Sequence, residues 1–282
     1  MAKPIFSGHE SFACKSHWLK RGYDFVQGNN NFNNENAVVV LGVGKNMVSA
    51  IRFWMKAFGL IDDNGEVTQI ARLLLANNGY DPYFEDMGSL WLMHFNIICN
   101  NYATAYKTTF VDYHQQRNML DKAKLQNFIK HRCFDEANCR NLYNENTVKR
   151  DIGVLFHNYC RTSNISVEES NTLLAPLNLI LEMEDNQYTF NYATRSIVPT
   201  QIFLYALLTI TEEKSISFSS DAMNDLALIF CLTNNDLLDI VKRLCTEYSG
   251  VLVFSDVAGI KELQVKGRIT KEQVLENYYG AR

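Results

Sequence analysis

The fold is decided by residues 42–68, which read GVGKNMVSAIRFWMKAFGLIDDNGEVT. The first half of this stretch has apolar residues at the spacing of one face of an α-helix. These residues are Met47, Ile51, Trp54, Met55 and Phe58. The Asn64-Gly65 pair that follows is a strong signal for the turn of a β-hairpin. A glycine-containing turn, a helix and a hairpin in this order predict the last part of a winged helix-turn-helix module.

The same apolar spacing occurs twice more along the chain. One further copy begins at Val148 and another at Leu237, and each follows a polar turn and precedes a candidate hairpin. We therefore expect a mainly helical α+β fold with short β-hairpins, made of tandem winged helix-turn-helix-like modules. The predicted modules are residues 1–80, 81–197 and 198–282. Because amphipathic helices also precede hairpins in other folds, a non-winged arrangement stays open.

The composition is that of an ordinary globular protein. The chain has 282 residues, of which 47% are hydrophobic and 21% are charged, and its net charge is −4. These values exclude wholesale disorder and a uniformly basic nucleic-acid coat. No stretch reaches the roughly 18 apolar residues of a membrane span, and the N-terminus lacks the features of a signal peptide. The seven cysteines are scattered and odd in number, so we expect reduced thiols in a cytoplasmic protein.

The solvent face of the first repeated helix predicts a DNA-binding surface. Lys45, Ser49, Arg52 and Lys56 lie opposite its apolar face, with Asn46 beside them, and such side chains bind phosphates and base edges. The other two copies place cations there as well, although Asp239 on the third would repel phosphate. The predicted contacts to duplex DNA are Lys45, Asn46, Ser49, Arg52, Lys56, Lys149, Arg150, Lys242 and Arg243. A charged stripe is also ordinary on a solvated helix, and winged helices also serve as protein–protein adaptors.

The motifs that carry catalysis or cofactor binding are incomplete in this sequence. The glycines of residues 42–45 lack the Gly-x4-Gly-Lys-Ser/Thr spacing of a phosphate loop. His9, Glu10 and His17 have no standard spacing for metal ligands, and His131, Cys133 and Cys139 lack a fourth ligand nearby. We therefore predict no cofactor and no metal site.

One N-terminal cluster has two aromatic residues around a polar core. It reads Phe6-Ser7-Gly8-His9-Glu10-Ser11-Phe12. One interpretation is an anchoring segment, in which the aromatic residues are buried while His9 and Glu10 form hydrogen bonds within the fold. The other interpretation is a polar functional site that uses His9 and Glu10. We favour anchoring and leave the role of the motif open.

The sequence resembles the bacterial family known as domain of unknown function 4007. The resemblance rests on that N-terminal motif and on further segments, which are residues 18–22, 42–47, 51–54, 57–61, 79–82 with Glu85, 90–94, 147–151 and 188–190. The family has no assigned activity. The resemblance implies a companion of DNA sulfur-modification and phage-defence genes, including those of sulfurtransferase-like reductases.

Three hypotheses about function follow from these patterns. The leading one is a non-catalytic DNA-binding accessory protein of a DNA-modification or phage-defence system, with duplex DNA and the modification enzymes as partners. The alternative is a protein–protein interaction scaffold that uses the same folds. The lowest-ranked one is a hydrolase or nuclease with a site near His9 and Glu10. The sequence leaves self-association open.

Overall fold

In the computed structural model of this chain, the residues described are 4–135, 140–160, 171–184, 187–193 and 198–280. The chain divides into two compact units, Met1–Asn191 and Tyr192–Arg282. Both units combine helices with one small antiparallel sheet of three strands. The predicted α+β class is therefore confirmed, whereas the three module boundaries stay a prediction.

The first part of unit 1 is helical. Its helices are α1 (Ser16–Gln27), α2 (Ala37–Leu41), α3 (Lys45–Ala57), α4 (Gln69–Leu75) and α5 (Met87–Asn100). The predicted apolar face of α3 and the residue that ends it are buried, except that Met47 is half-buried. The predicted hairpin is reduced to one bridge between Ile61 and Val67. It is short because Thr68 already caps α4, whose first turn donates Ala71 N–H to the Thr68 hydroxyl.

The second part of unit 1 combines helices with a sheet. Its elements are α6 (Thr104–Lys107) with a π-helical continuation (Thr108–Tyr113), β1 (Met119–Leu120), α7 (Lys122–Asp135), α8 (Glu145–Tyr159), β2 (Ile180–Glu182) and β3 (Tyr188–Phe190). Short 3₁₀ turns lie at Arg140–Leu142 and Ala175–Leu177. The strands pair in the order β1-β3-β2. The candidate hairpin after the second copy of the repeat includes residues 185 and 186, which lie outside the described part of the chain.

Unit 2 has its own core and its own sheet. Its elements are α9 (Thr200–Ile210), β4 (Ser215–Ser217), α10 (Asp221–Ile229), α11 (Asn234–Glu247), β5 (Leu252–Val257), β6 (Ile260–Val265) and α12 (Lys271–Gly280). The strands pair in the order β4-β6-β5. Helix α11 begins at a capping box, in which Thr233 and Asp236 bind each other's backbone N–H groups. Its predicted apolar face buries Leu237, Val241 and Leu244.

The second part of unit 1 and unit 2 share one order of elements. Each runs helix, strand, two helices and two strands, and in each the last strand pairs between the other two. The third helix of each set, α8 or α11, is one of the helices singled out by the apolar repeat. Among the described helices, none is long and apolar enough to cross a membrane.

Candidate nucleic-acid interface and the N-terminal motif

The first turns of α3 present polar side chains to solvent. Lys45, Asn46 and Ser49 are exposed, and the Ser49 hydroxyl donates to the Lys45 carbonyl at 3.4 Å. Gly44 precedes the helix in open space, because a Cβ added there would meet no described atom within 4 Å. This end of α3 is therefore sterically accessible to a large ligand.

The other two cations predicted on α3 already have partners in the chain. Arg52 Nη1 donates to Asn33 Oδ1 at 2.6 Å. Lys56 Nζ donates to the Asp63 carbonyl at 3.2 Å, lies 3.8 Å from the Asp63 carboxylate and sits 5.9 Å from the centre of the Tyr102 ring. The Lys56 side chain is only 13% exposed. Both cations would have to leave these partners, at least in part, to reach a ligand.

Helix α8 has an open basic surface. Asn146, Lys149 and Arg150 are exposed, and Gly153 is exposed one turn later. Asn144 caps the helix by accepting the Thr147 N–H at 3.0 Å. Asp151, the next residue after Arg150, is buried, whereas Glu145 in the first turn is exposed. The exposed surface of α8 thus carries Lys149 and Arg150 together with Glu145.

Helix α11 of unit 2 carries charges of both signs on its surface. Lys242 and Arg243 are exposed, and Lys242 Nζ lies 5.9 Å from the centre of the Phe254 ring. Asp239 is exposed as well. Because a carboxylate repels phosphate, this helix offers a weaker surface for nucleic acid than α8.

His9 of the N-terminal motif is a buried and fully hydrogen-bonded side chain. It is 3% exposed, stacks on Trp54 and meets the ring of Phe53 edge-on. Its Nε2 lies 2.9 Å from Asp151 Oδ1, and the Ser11 N–H donates to its Nδ1 at 3.2 Å. Since Nδ1 accepts, the hydrogen-bond network assigns the ring proton to Nε2, which donates to Asp151.

Asp151 is the partner that sequence reasoning missed. Its carboxylate also accepts the Ser7 N–H, at 2.9 Å to Oδ2 and 3.2 Å to Oδ1. Asp151 and His9 are 142 residues apart, so no local pattern joins them. The signal in the sequence was that Asp151 is the last residue of the segment 147–151, which contributes to the family resemblance.

The motif has a strained backbone. Ser7, Gly8, Glu10 and Ser11 all have positive φ angles, at 71°, 106°, 49° and 68°. A side chain at Gly8 would place its Cβ 2.7 Å from Phe53 Cδ2. Non-glycine residues adopt such angles only where surrounding contacts hold them. Here the Ser7 N–H donates to Asp151 and the Ser11 N–H donates to His9 Nδ1. Glu10 is exposed and therefore stands apart from the buried His9.

The residues beside the motif extend its contacts across unit 1. We call residues 4–15 the N-terminal segment. Trp54 Nε1 donates to the Phe12 carbonyl at 3.1 Å, which joins the segment to α3. The Cys14 N–H donates to Asn158 Oδ1 at 3.0 Å, which joins it to α8. The structure thus places His9 in a hydrogen-bonded network between the buried sides of two helices, as the anchoring interpretation requires of that residue. The other parts of that interpretation are not met, because Phe6 and Phe12 are half-buried and Glu10 is exposed.

Burial disfavours the ionised form of three side chains in this part of unit 1, Cys14, Tyr106 and Cys160. Burial raises the pKa of the Cys14 thiol and that of the Tyr106 hydroxyl, which accepts from Asn158 Nδ2 at 2.5 Å. Burial also raises the pKa of Cys160 to about 12. A thiol with a raised pKa stays protonated and is a poor nucleophile near neutral pH.

The described residues do not offer a ready-made metal site. Within them, no three His, Cys, Asp or Glu side chains come together in a group that could hold an ion. Cys139, one of the residues considered from the sequence, lies outside the described part of the chain.

Comparisons with known proteins agree with the sequence resemblance. The profile of the family "Protein of unknown function (DUF4007)" matches residues 6–279. A crystal structure of magnesium ion-bound SspB is similar, with a TM-score of 0.84 and 25% identity, over 98% of this chain and 88% of that one. Another SspB crystal structure is similar at a TM-score of 0.82, with the same identity and coverage. No curated protein matches. The chain belongs to the DUF4007 family of proteins of unknown function.

Proposed function

We propose that this protein is a DNA-binding accessory factor of a bacterial DNA-modification or phage-defence system. In this proposal it binds duplex DNA through the exposed faces of α3 and α8. The likeness to SspB and membership of the DUF4007 family fit an accessory role in defence. Modification enzymes of the sulfurtransferase type are the proposed protein partners.

The observation that carries the proposal is the order of elements around α8. The elements there run in the order helix, strand, two helices and two-stranded hairpin, and the last strand lies in the middle of the sheet. This is the order of a winged helix-turn-helix. In helix-turn-helix proteins the second helix of the pair lies in the major groove, and residues near its N-terminus contact base edges. Here that helix is α8, and Asn146, Lys149 and Arg150 occupy its first turns.

Helix α3 supplies the second proposed contact. Lys45, Asn46 and Ser49 lie in its first turns and are exposed, so their donors and acceptors are available to a groove. A lysine reads guanine and an asparagine reads adenine in the major groove. Arg52 and Lys56 have partners within the chain, so we expect them to add less than their charge alone would predict.

Unit 2 repeats the order of elements with a less basic surface. Lys242 and Arg243 remain proposed phosphate contacts on α11. Because Asp239 lies on the same helix, we expect their contribution to be smaller than that of Lys149 and Arg150.

A salt titration of binding to duplex DNA tests the proposal. Affinity for a polyanion falls as salt rises from about 50 to about 200 mM, and each lost phosphate contact lowers the slope of log K against log salt by about 1. We expect Lys149→Glu/Arg150→Glu and Lys45→Glu to weaken binding and to lower the slope. Arg72→Glu/Lys107→Glu is the matched control, because both residues are exposed in unit 1 and belong to α4 and α6 rather than to α3 or α8.

The outcomes separate a local surface from general charge. If the control weakens binding as much as the α8 variant, the effect is one of net charge and the assignment to α8 is wrong. If the wild type has no salt-dependent affinity for duplex DNA, the DNA-binding proposal is wrong.

A protein-binding role is the second candidate, because some apolar side chains are exposed. In unit 1 the consecutive Val38, Val39 and Val40 of α2 are 36%, 75% and 49% exposed, and in unit 2 Val257 and Ile260 at the turn between β5 and β6 are 68% and 61% exposed. Exposed apolar side chains in a cluster are typical of protein interfaces. This candidate predicts that Val39→Asp abolishes the capture of a modification enzyme while DNA affinity is unchanged.

A further inference from the structure

Among the residues that the structure describes, no contact explains why position 153 is glycine. It lies in the middle of α8 and is exposed, while Ile152 and Val154 beside it are buried. A Cβ added at Gly153 would meet no described atom within 4 Å, and its φ angle is one that any residue adopts in a helix. Glycine in a helix interior is less favourable than any residue except proline.

Other glycines of unit 1 show what a packed glycine looks like. At Gly22 in α1, an added Cβ would lie 2.9 Å from Met55 Cγ, so the lack of a side chain lets α1 approach α3. Gly8 is similarly closed in by Phe53. At Gly153 the helix backbone is equally bare, but none of the described residues approaches it.

The charges around Gly153 indicate the chemistry of the missing neighbour. Lys149 and Arg150 lie four and three residues before it, on the adjoining turn, and both are exposed. The acid on this surface, Glu145, is two turns away at the start of the helix. A bare helix backbone beside two cations is complementary to an anionic, extended ligand.

We infer that α8 packs its backbone at Gly153 directly against the phosphodiester backbone of duplex DNA. The missing side chain lets the helix axis approach the duplex, which brings the ammonium of Lys149 and the guanidinium of Arg150 to phosphate oxygens. This inference rests on the proposed DNA-binding function and adds a closely packed contact to it.

The test uses Gly153→Ala and Gly153→Gln in the full chain. Alanine stabilises a helix relative to glycine, so we expect the unfolding temperature of Gly153→Ala to rise by about 2–4 °C. We expect its affinity for a duplex to fall several-fold, and that of Gly153→Gln to fall further. Because the unfolding temperature should rise while the affinity falls, the result separates loss of a DNA contact from loss of the folded structure. Gly280→Ala is the control, since Gly280 is exposed in α12 with no described atom near its Cβ position, and its affinity should equal that of the wild type.

Two results would overturn the inference and can be told apart. If the wild type binds duplex DNA and Lys149→Glu/Arg150→Glu weakens that binding, but both Gly153 variants bind like the wild type, the close contact is absent while the proposed function stands. If the wild type shows no salt-dependent affinity, the proposed function fails and the inference fails with it. Loss of protein capture in Gly153→Gln with unchanged DNA affinity would assign this face to a protein instead.

Discussion

The buried carboxylate of Asp151 should be one of the most sensitive positions in unit 1. Its side chain is 7% exposed and accepts from the Ser7 N–H and from His9 Nε2. Asp151→Ala leaves the buried His9 Nε2–H and the half-buried Ser7 N–H without this acceptor. The buried donor costs about 1–3 kcal/mol and the half-buried one about 1–2 kcal/mol, so we expect the free energy of unfolding to fall by about 2–5 kcal/mol. That is a large part of the total of about 5–15 kcal/mol that stabilises a typical domain.

Tryptophan fluorescence during urea unfolding measures the stability of unit 1, the unit that contains Asp151. The three tryptophans, Trp18, Trp54 and Trp91, are all buried in unit 1. At a slope of about 2 kcal/mol per molar urea, the expected loss lowers the midpoint by about 1–2.5 M. A double-mutant cycle of His9→Ala with Asp151→Ala should show coupling, because the two side chains share one hydrogen bond.

An exposed carboxylate provides the matched control. Asp63 pairs with Lys56 but its side chain is 100% exposed, so Asp63→Ala should leave the urea midpoint unchanged. If Asp151→Ala changes the free energy of unfolding by less than about 0.5 kcal/mol, as surface substitutions do, the motif does not anchor the fold and the reasoning is refuted.

Three further predictions follow from single contacts. Gly8→Ala should lower the free energy of unfolding by about 1–3 kcal/mol in the same urea assay, because its φ is 106° and the new Cβ would clash with Phe53. Gly44→Ala is the control and should leave the free energy of unfolding almost unchanged. Thr233→Ala removes the cap of α11 and should lower the stability of unit 2 by about 1 kcal/mol, measured by the circular dichroism of the full chain; an unchanged transition would contradict the capping role. Three buried thiols, whose pKa is raised by burial, should react with a thiol reagent at neutral pH more slowly than the exposed Cys99, and equal rates would refute their burial. These are Cys14, Cys160 and Cys231.

The helices with a strong apolar period could be predicted from the sequence. The same apolar spacing located α3, α8 and α11. One face of each helix packs against its own unit, and this requires apolar residues at a fixed interval. The first strand of each sheet could not be located in this way. β1 has two residues and β4 has three, and so short a stretch shows no alternation of apolar and polar residues.

The candidate surface was predicted less completely than the fold. The spacing correctly left Lys45, Asn46 and Ser49 on the solvent face of α3, because helical periodicity alone determines which side they take. It could not reveal that Arg52 binds Asn33 or that Lys56 binds Asp63, since those partners come from separate loops. The role of the N-terminal motif was equally hidden, because its acceptor Asp151 lies on a helix more than a hundred residues away.

The long-range contacts of the N-terminal segment also constrain the order of events during synthesis. Cys14 and Asn158, which bind each other, are 144 residues apart, and the Cys14 carbonyl accepts from the Leu173 N–H. At a translation rate of about 5–20 residues per second, the N-terminal segment waits on the order of 10 s after its own synthesis for these partners. During that interval the apolar surface that the segment later covers is open to chaperones. A nascent chain arrested before α8 emerges should therefore remain sensitive to protease at its N-terminus, and one released after Leu173 should become resistant.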